Sequence, residues 1–243
     1  MISERSIATK FTAIWKQNFP LLTPNYIRVF NETRLHQINP SPVGTKNEVR
    51  YDIVSEIAFN LSKITIEQGI SGDLIMADQA KFQKLIENTA KTIWTTENYT
   101  REDLKLTDDE ISDIKSISNN ILEFLKNEGG SNVQFRPKIK GYGFIPDLEA
   151  DLSIDDTLYE FKTVKRNFKS SDLKQLFIYL ALRQMSENKN WNYAGLYNPR
   201  KGVYCKFNIK KLIYNLSGGK SPIETFENFL NGLVRDFEID SKF

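Results

Sequence analysis

Six carboxylates, Asp147, Glu149, Asp151, Asp155, Asp156 and Glu160, crowd between positions 147 and 160 with no basic residue among them. Residues 162 to 211 then hold 12 basic side chains and only two acidic ones, Asp172 and Glu187, a surplus of ten positive charges. Clustered carboxylate oxygens are what hard divalent cations bind, and a basic stretch is a surface for phosphates. Side by side, the two point to chemistry on a polyanion assisted by a cation.

Strand register sharpens this expectation. Leu148, Ala150, Leu152 and Ile154 alternate with Glu149, Asp151 and Ser153; Asp155-Asp156 interrupt, and Thr157 to Val164 resumes the pattern. A two-residue turn at Asp155-Asp156, which aspartate tolerates, pairs Ile154 with Thr157 and, three steps from the turn, Asp151 with Glu160. Their β-carbons then lie about 4.5–5.5 Å apart on one face, where two like charges are destabilising unless neutralised. A divalent cation held by oxygen ligands would neutralise them. Lys162 falls about 6.6 Å further along the same face. The same register sets Lys162 opposite Glu149, so the competing reading is a plain cross-strand ion pair, with Asp151 and Glu160 left solvated.

The whole chain narrows the chemistry further. Its 243 residues carry 33 basic and 31 acidic side chains, net +2. Residues 1 to 130 hold 15 basic and 18 acidic groups and residues 131 to 243 hold 18 and 13, so the balance conceals an acidic first part and a basic second part. The single Cys205 excludes an intramolecular disulfide, a multi-cysteine zinc site and an iron-sulfur cluster, and fits a reducing compartment. His36 alone cannot supply a multi-histidine zinc site, and a Cys205–His36 nucleophilic pair would join unrelated contexts. Catalysis must rest on carboxylates, lysines and polar groups. MISERSIATKFTAIWKQNF lacks the apolar core of a signal peptide and no 18 apolar residues run together, so a cytoplasmic protein with no membrane span is expected.

The elements that must position these residues change character at Gly129-Gly130. Before it the chain reads as helices: Ile7, Phe11, Ile14 and Trp15 form one stripe, Thr23-Pro24 opens another helix, a third is expected from about Lys46 to Ile66, and Phe82 to Ile93 mark a fourth. Thr107 to Asn127 is the clearest, with Thr107 and Glu110 spaced as a capping box. After the glycines the order reads β-β-β-α-β-β-α, with strands at Asn132 to Lys140, 148 to 154, 157 to 164, Tyr193 to Tyr197 and Val203 to Phe207 and helices at Ser171 to Met185 and from Ser221-Pro222 onward. The expected fold class is mixed α/β (α+β), with a helical region over 1–130, part of it packing on a core at 131–243.

Ile145-Pro146-Asp147 through Asp151, followed by Glu160-Phe161-Lys162, resembles the D…(D/E)-x-K signature of the PD-(D/E)XK nuclease superfamily. The helix that follows carries Gln175-Leu176-Phe177-Ile178-Tyr179, similar to the Q-x-x-x-Y motif of the RecB-like branch, and a strand ending Leu196-Tyr197-Asn198-Pro199-Arg200 comes next. The resemblance covers roughly residues 141 to 208. It implies a restriction-endonuclease-like core, a central mixed sheet flanked by helices. It further implies that Asp151 and Glu160 ligate Mg²⁺ or Mn²⁺, with Asp147 as rival first ligand and the Phe161 carbonyl as a further one. Val43-Gly44-Thr45 faintly resembles the opening of the family's first helix, where an acidic residue, Glu48 or Glu56, would join the metal. Lys162 would orient the attacking water, Gln175 would position the lysine or a phosphate oxygen, and Tyr179 would line the cleft. The four-cysteine cluster of some members is excluded by Cys205 standing alone, and no G-x-x-x-x-G-K-[ST] loop supplies ATP use.

The expectation is therefore a metal-dependent nuclease hydrolysing DNA phosphodiester bonds in DNA processing, repair or recombination, or anti-phage defence. Lys165, Arg166, Lys169 and Lys174 are the expected phosphate contacts. DNA is favoured over RNA as substrate. The alternatives are an RNA-directed nuclease and a non-catalytic module of the same fold that binds nucleic acid or a protein partner, the latter through the acidic helical first half.

Overall fold

The structure is a computed structural model that describes residues 3–39, 42–44, 49–94 and 100–240, the last three by backbone alone. The first part of the chain forms α1 (Glu4–Thr9), α2 (Thr12–Asn18), α3 (Pro24–Thr33), β1 (His36–Gln37), α4 (Tyr51–Gln68), α5 (Gly72–Ala77), α6 (Gln79–Ile93) and α7 (Asp108–Glu128). The second part forms β2 (Val133–Phe135), β3 (Lys138–Ile139), β4 (Leu148–Glu149), β5 (Leu152–Ile154), β6 (Thr157–Phe161), α8 (Ser170–Glu187), β7 (Tyr193–Asn198), β8 (Val203–Asn208), α9 (Ile209–Leu216) and α10 (Pro222–Asp240). Six strands make a mixed sheet in the order β1-β8-β7-β6-β5-β2, in which β6 and β7 run parallel and the other neighbours antiparallel. A parallel pair needs a long crossover, and α8 is that crossover.

Alternation along the strands sorts side chains onto two helical layers. Leu158, Ala194 and Leu196 pack with Leu173, Leu176 and Phe177 of α8 and with Phe229 and Leu233 of α10. Their neighbours Tyr159 and Tyr197 point the other way, into a core with Ile57 of α4 and Phe124 of α7. The sheet is thus buried on both faces, at roughly 1.5–3 kcal/mol for each large apolar side chain removed from water. Phe124 stacks on Tyr197 with ring centroids 4.1 Å apart. The Tyr197 hydroxyl donates to Asn39 Oδ1 at 2.7 Å, and Asn39 Nδ2 donates to Glu123 at 2.6 Å, so the segment after β1 is locked to both sheet and α7. The expected capping box starts α7: Glu110 N–H donates to Thr107 Oγ1 and Thr107 N–H to Glu110 Oε2.

Several elements differ from the sequence expectation for identifiable reasons. The Ile7–Trp15 stripe is split into α1 and α2 by Phe11, whose φ is +20°. Of the helix expected from about Lys46, residues 45 to 48 lie outside the described residues, and α4 begins at Tyr51. The single strand expected over 148 to 154 changes partner midway: β4 pairs with β3 in a separate two-stranded sheet, and β5 joins the main one. Pro137 cannot donate to a ladder, Arg136 before it has φ +50°, and this kink hands Ala150 N–H to the Pro137 carbonyl at 3.1 Å. Helix α9 and the short edge strand β1 carried no sequence signal that set them apart.

Two predictions follow from this packing. A Cβ added at Gly195 in β7 would run into the Cys205 carbonyl and the Tyr159 ring, so Gly195→Ala is expected to cost about 2–3 kcal/mol in denaturant unfolding. Cys205 is 1% exposed and burial pushes its thiol up to about 12, so iodoacetamide should leave it unmodified in the native protein and alkylate it after unfolding, as read by mass spectrometry.

Candidate active site

The two-residue turn expected at Asp155-Asp156 is present, with Ile154 opposite Thr157, Ser153 opposite Leu158 and Leu152 opposite Tyr159. One step beyond, Asp151 lies beside Glu160 on the face covered by α8, as Ser153 and Leu158 do. Phe161 N–H donates to Asp151 Oδ2 at 2.6 Å, which draws the aspartate over the end of β6. Glu160 beneath it is 2% exposed, and its Oε1 accepts a 2.6 Å bond from Lys162 Nζ. Lys162 Nζ also donates to Gln175 Oε1 at 2.6 Å, and Gln175 Nε2 donates to the Tyr179 hydroxyl at 3.0 Å. Gln175 and Tyr179, four residues apart on α8, present the same face to the strand end. Asp151, Glu160, Lys162, Gln175 and Tyr179 thus form one connected group.

The other acidic residues of the cluster have separate duties. Asp147 is exposed and closes the preceding loop by accepting Gly141 N–H at 2.8 Å; Asp151, not Asp147, is brought to Glu160. Glu149 pairs across β3–β4 with Lys138, so the cross-strand ion pair with Lys162 does not form. Asp155 accepts Asn132 N–H at 2.9 Å and Asp156 accepts Asn192 N–H at 2.9 Å, pinning the turn to the starts of β2 and β7. Glu48 lies outside the described residues. Glu56 of α4, the other acid expected to join the metal, is instead an ion-pair partner of Arg136 and is not gathered with Asp151 and Glu160.

Electrostatics mark the pair. Burial and then the charge of Asp151 push the Glu160 carboxyl up to about 8, against the pull of Lys162. Burial likewise raises Asp151, opposed by the Phe161 N–H bond. Among the described residues Glu160 Oε2 is buried without a hydrogen-bond donor. An oxygen in that position is satisfied by a proton shared with Asp151, by a bound water or by a cation. That orphan, with two carboxylates converging on it, fits a hard divalent ion. Among the described residues no three His, Cys, Asp or Glu side chains converge, so the protein side chains would supply two ligands. The rest would come from backbone carbonyls such as Phe161, water or substrate oxygens.

The expected phosphate contacts divide. Lys165 is exposed, with its ammonium 4.5 Å above the Tyr51 ring, and Lys169 is exposed at the start of α8. Lys174 is half-buried over Trp15 at 5.1 Å, and desolvation lowers its pKa. Arg166 instead grips Asp172 through two bonds of 2.6 and 2.9 Å and braces the first turn of α8. Cys205 is buried and His36 is exposed on the edge strand beside Tyr204, so they make no nucleophilic pair. A cavity of about 350 Å³ between α3 and the β8–α9 edge contains none of the acidic residues above.

Two residues at the site escaped the sequence reading. Glu4 of α1 accepts Gln175 Nε2 at 3.4 Å, a contact 171 positions apart. Arg136, at the end of the edge strand β2, extends the β2–β5 register to sit beside Asp151, whose carbonyl accepts its N–H at 2.9 Å. No strand pattern at Arg136 gives away its left-handed backbone. No protein-family model, curated protein or solved structure matches the chain. Among the described residues no helix is long and apolar enough to cross a membrane.

The raised Glu160 carboxyl makes a stability prediction with a definite sign. A folded-state pKa of about 8 against an ordinary 4.5 means the native protein holds a proton the unfolded chain has released, so this contribution is full below about 4.5 and lost as pH rises through about 8. In chelator, wild type should therefore lose melting temperature relative to Glu160→Gln across that window, and Mg²⁺ should restore it at the alkaline end. Parallel curves for the two proteins would show that the pair holds no such proton.

Proposed function

We propose that this protein is a divalent-metal-dependent nuclease of the PD-(D/E)XK type that hydrolyses phosphodiester bonds in DNA. The observation that carries the reading is the facing pair Asp151 and Glu160, with Lys162 bonded to one of them and the buried Glu160 Oε2 left without a donor. Asp151, Glu160 and the Phe161 carbonyl would hold Mg²⁺ or Mn²⁺. Such an ion, when bound, lowers the pKa of a water and offsets charge on phosphoryl oxygens.

The chain's own groups do the positioning. Glu160 and Gln175 fix the Lys162 ammonium from two sides, so its charge is in place where negative charge develops on the phosphate, with little reorganisation left for the reaction itself. Tyr179, kept neutral by burial and by the Glu160 charge, takes one amide hydrogen of Gln175. With that hydrogen committed, the amide oxygen of Gln175 is the atom that faces the lysine. Lys165 and Lys169 are exposed and Lys174 flanks the motif helix, which supports a path for the phosphate backbone past α8. One observation favours a non-catalytic nucleic-acid-binding module instead, namely that only two acidic side chains converge among the described residues.

Asp151→Asn and Lys162→Ala should each lower Mg²⁺-dependent cleavage of linear, circular and single-stranded DNA by about 100-fold or more while the protein remains folded. An RNA substrate run alongside separates the two nucleic acids, and full activity in both variants would sink the mechanism. Calorimetry with Mn²⁺ decides against the non-catalytic module if binding is present in wild type and absent in Asp151→Asn.

A further inference from the structure

Arg136, Asp151 and Glu160 continue one row across β2, β5 and β6, one step beyond the paired residues, with Arg136 N–H on the Asp151 carbonyl and the Asp151 carboxylate on Phe161 N–H. Lys162 stands on the Glu160 side of that row and reaches α8; Arg136 ends the other side and reaches α4. There its guanidinium is ion-paired with Glu56 and lies 5.1 Å from the Phe59 ring centre. Its charge also acts on Asp151. Besides Phe11 at the α1–α2 break, three described residues other than glycine have positive φ, all near +50°: Asn188 ends α8, Asp155 is in the tight turn, and Arg136 does neither. A left-handed arginine is costly, so the surrounding structure must hold it there.

We propose that Arg136 is a second catalytic cation of this site: its guanidinium takes a non-bridging oxygen of the scissile phosphate on the side of Asp151 away from Lys162, and Glu56 is the counter-ion on which it rests when no nucleic acid is bound. The assignment rests on the nuclease reading above. A planar guanidinium matches phosphate oxygens with paired donors, which an ammonium at this place would not. The side chains of Arg136 and Glu56 are 35% and 26% exposed, so the pair is partly solvated and exchanges for a phosphate without stripping a fully buried charge. The kink at Arg136 is also what lets the chain leave β2 and carry the arginine toward α4 while its N–H stays on Asp151.

The test compares Arg136→Gln, Arg136→Lys and Glu56→Gln with wild type, measuring kcat and KM on a short fluorescent DNA in Mg²⁺, with circular dichroism and melting curves as the check on folding. Arg136→Gln should lose about 10- to 100-fold in kcat/KM, with Arg136→Lys recovering part of it. Glu56→Gln breaks the same ion pair but leaves the arginine free for the phosphate, and should lower KM for the DNA several-fold relative to wild type. Equal losses in Glu56→Gln and Arg136→Gln would overturn the proposal in favour of a structural brace, as would an Arg136→Gln enzyme with undiminished kcat/KM. If Arg136→Gln does not fold, the Glu56→Gln arm decides alone, a lower KM supporting the assignment and an unchanged or raised KM overturning it. Absence of cleavage by wild type removes the nuclease reading and this assignment together, whereas a robust wild type with an unaffected Arg136→Gln removes the assignment only.

Discussion

Two carboxylates of like charge, set beside each other by a hairpin that cannot slip, are the constraint around which the rest of the molecule is arranged. In a sheet, moving the register by one residue turns every side chain to the opposite face. The β5–β6 turn is held against such slippage by its own side chains, Asp155 bonding the start of β2 and Asp156 bonding the approach to β7. Two acids of the cluster thereby fix the register that forces two others, Asp151 and Glu160, together. The repulsion is relieved locally by Lys162 and by the Phe161 N–H, while burial and the Asp151 charge push the Glu160 carboxyl toward its neutral form, and each of these is something a cation would replace or complement.

Neighbours far apart in sequence converge on this point because of the crossover topology. Strand β6 must return parallel as β7, and the helix that makes the return lays Gln175 and Tyr179 over the end of the strand it has just left. The N-terminal part of the chain closes both flanks, with Glu4 of α1 reaching Gln175 and Glu56 of α4 reaching Arg136. It also completes the sheet, since β1 pairs with β8, and its Asn39 is bonded by Tyr197. The acidic first part and the basic second part therefore share one sheet, one pair of cores and the margins of one site.

How much of this was legible in the sequence depended on whether the signal was local. The α7 capping box is written in Thr107 and Glu110, three residues apart, and the Asp151–Glu160 pairing follows from a turn of two residues. The partner change between β4 and β5 was not legible, because Leu148 to Ile154 alternates without interruption and the cause lies in Arg136 and Pro137 on another strand. Glu4 and Arg136 went unseen for the same reason: the Gln175 contact spans 171 residues and the Glu56 contact spans 80. The basic surplus after residue 161 was visible as a count, but a count could not tell that Arg166 is committed to Asp172 while Lys165 and Lys169 are exposed.

Chains that fold well tend to satisfy their local rules everywhere except where a site requires otherwise. Here a left-handed arginine, a buried glutamate beside a half-buried aspartate and an unpartnered carboxylate oxygen fall in one row across three strands. Elsewhere buried charges are matched: Glu110 accepts from Arg50, Asp113 from Arg200 and Asp172 from Arg166. Matched pairs of that kind hold a structure together but leave no capacity for a ligand. The row at Asp151 is the opposite arrangement, with acceptor oxygens in excess of donors and a cation at each side. That imbalance does not depend on motif resemblance, and it favours a ligand that brings positive charge to the carboxylates and negative charge to Lys162 and Arg136, as a metal ion with a phosphodiester does.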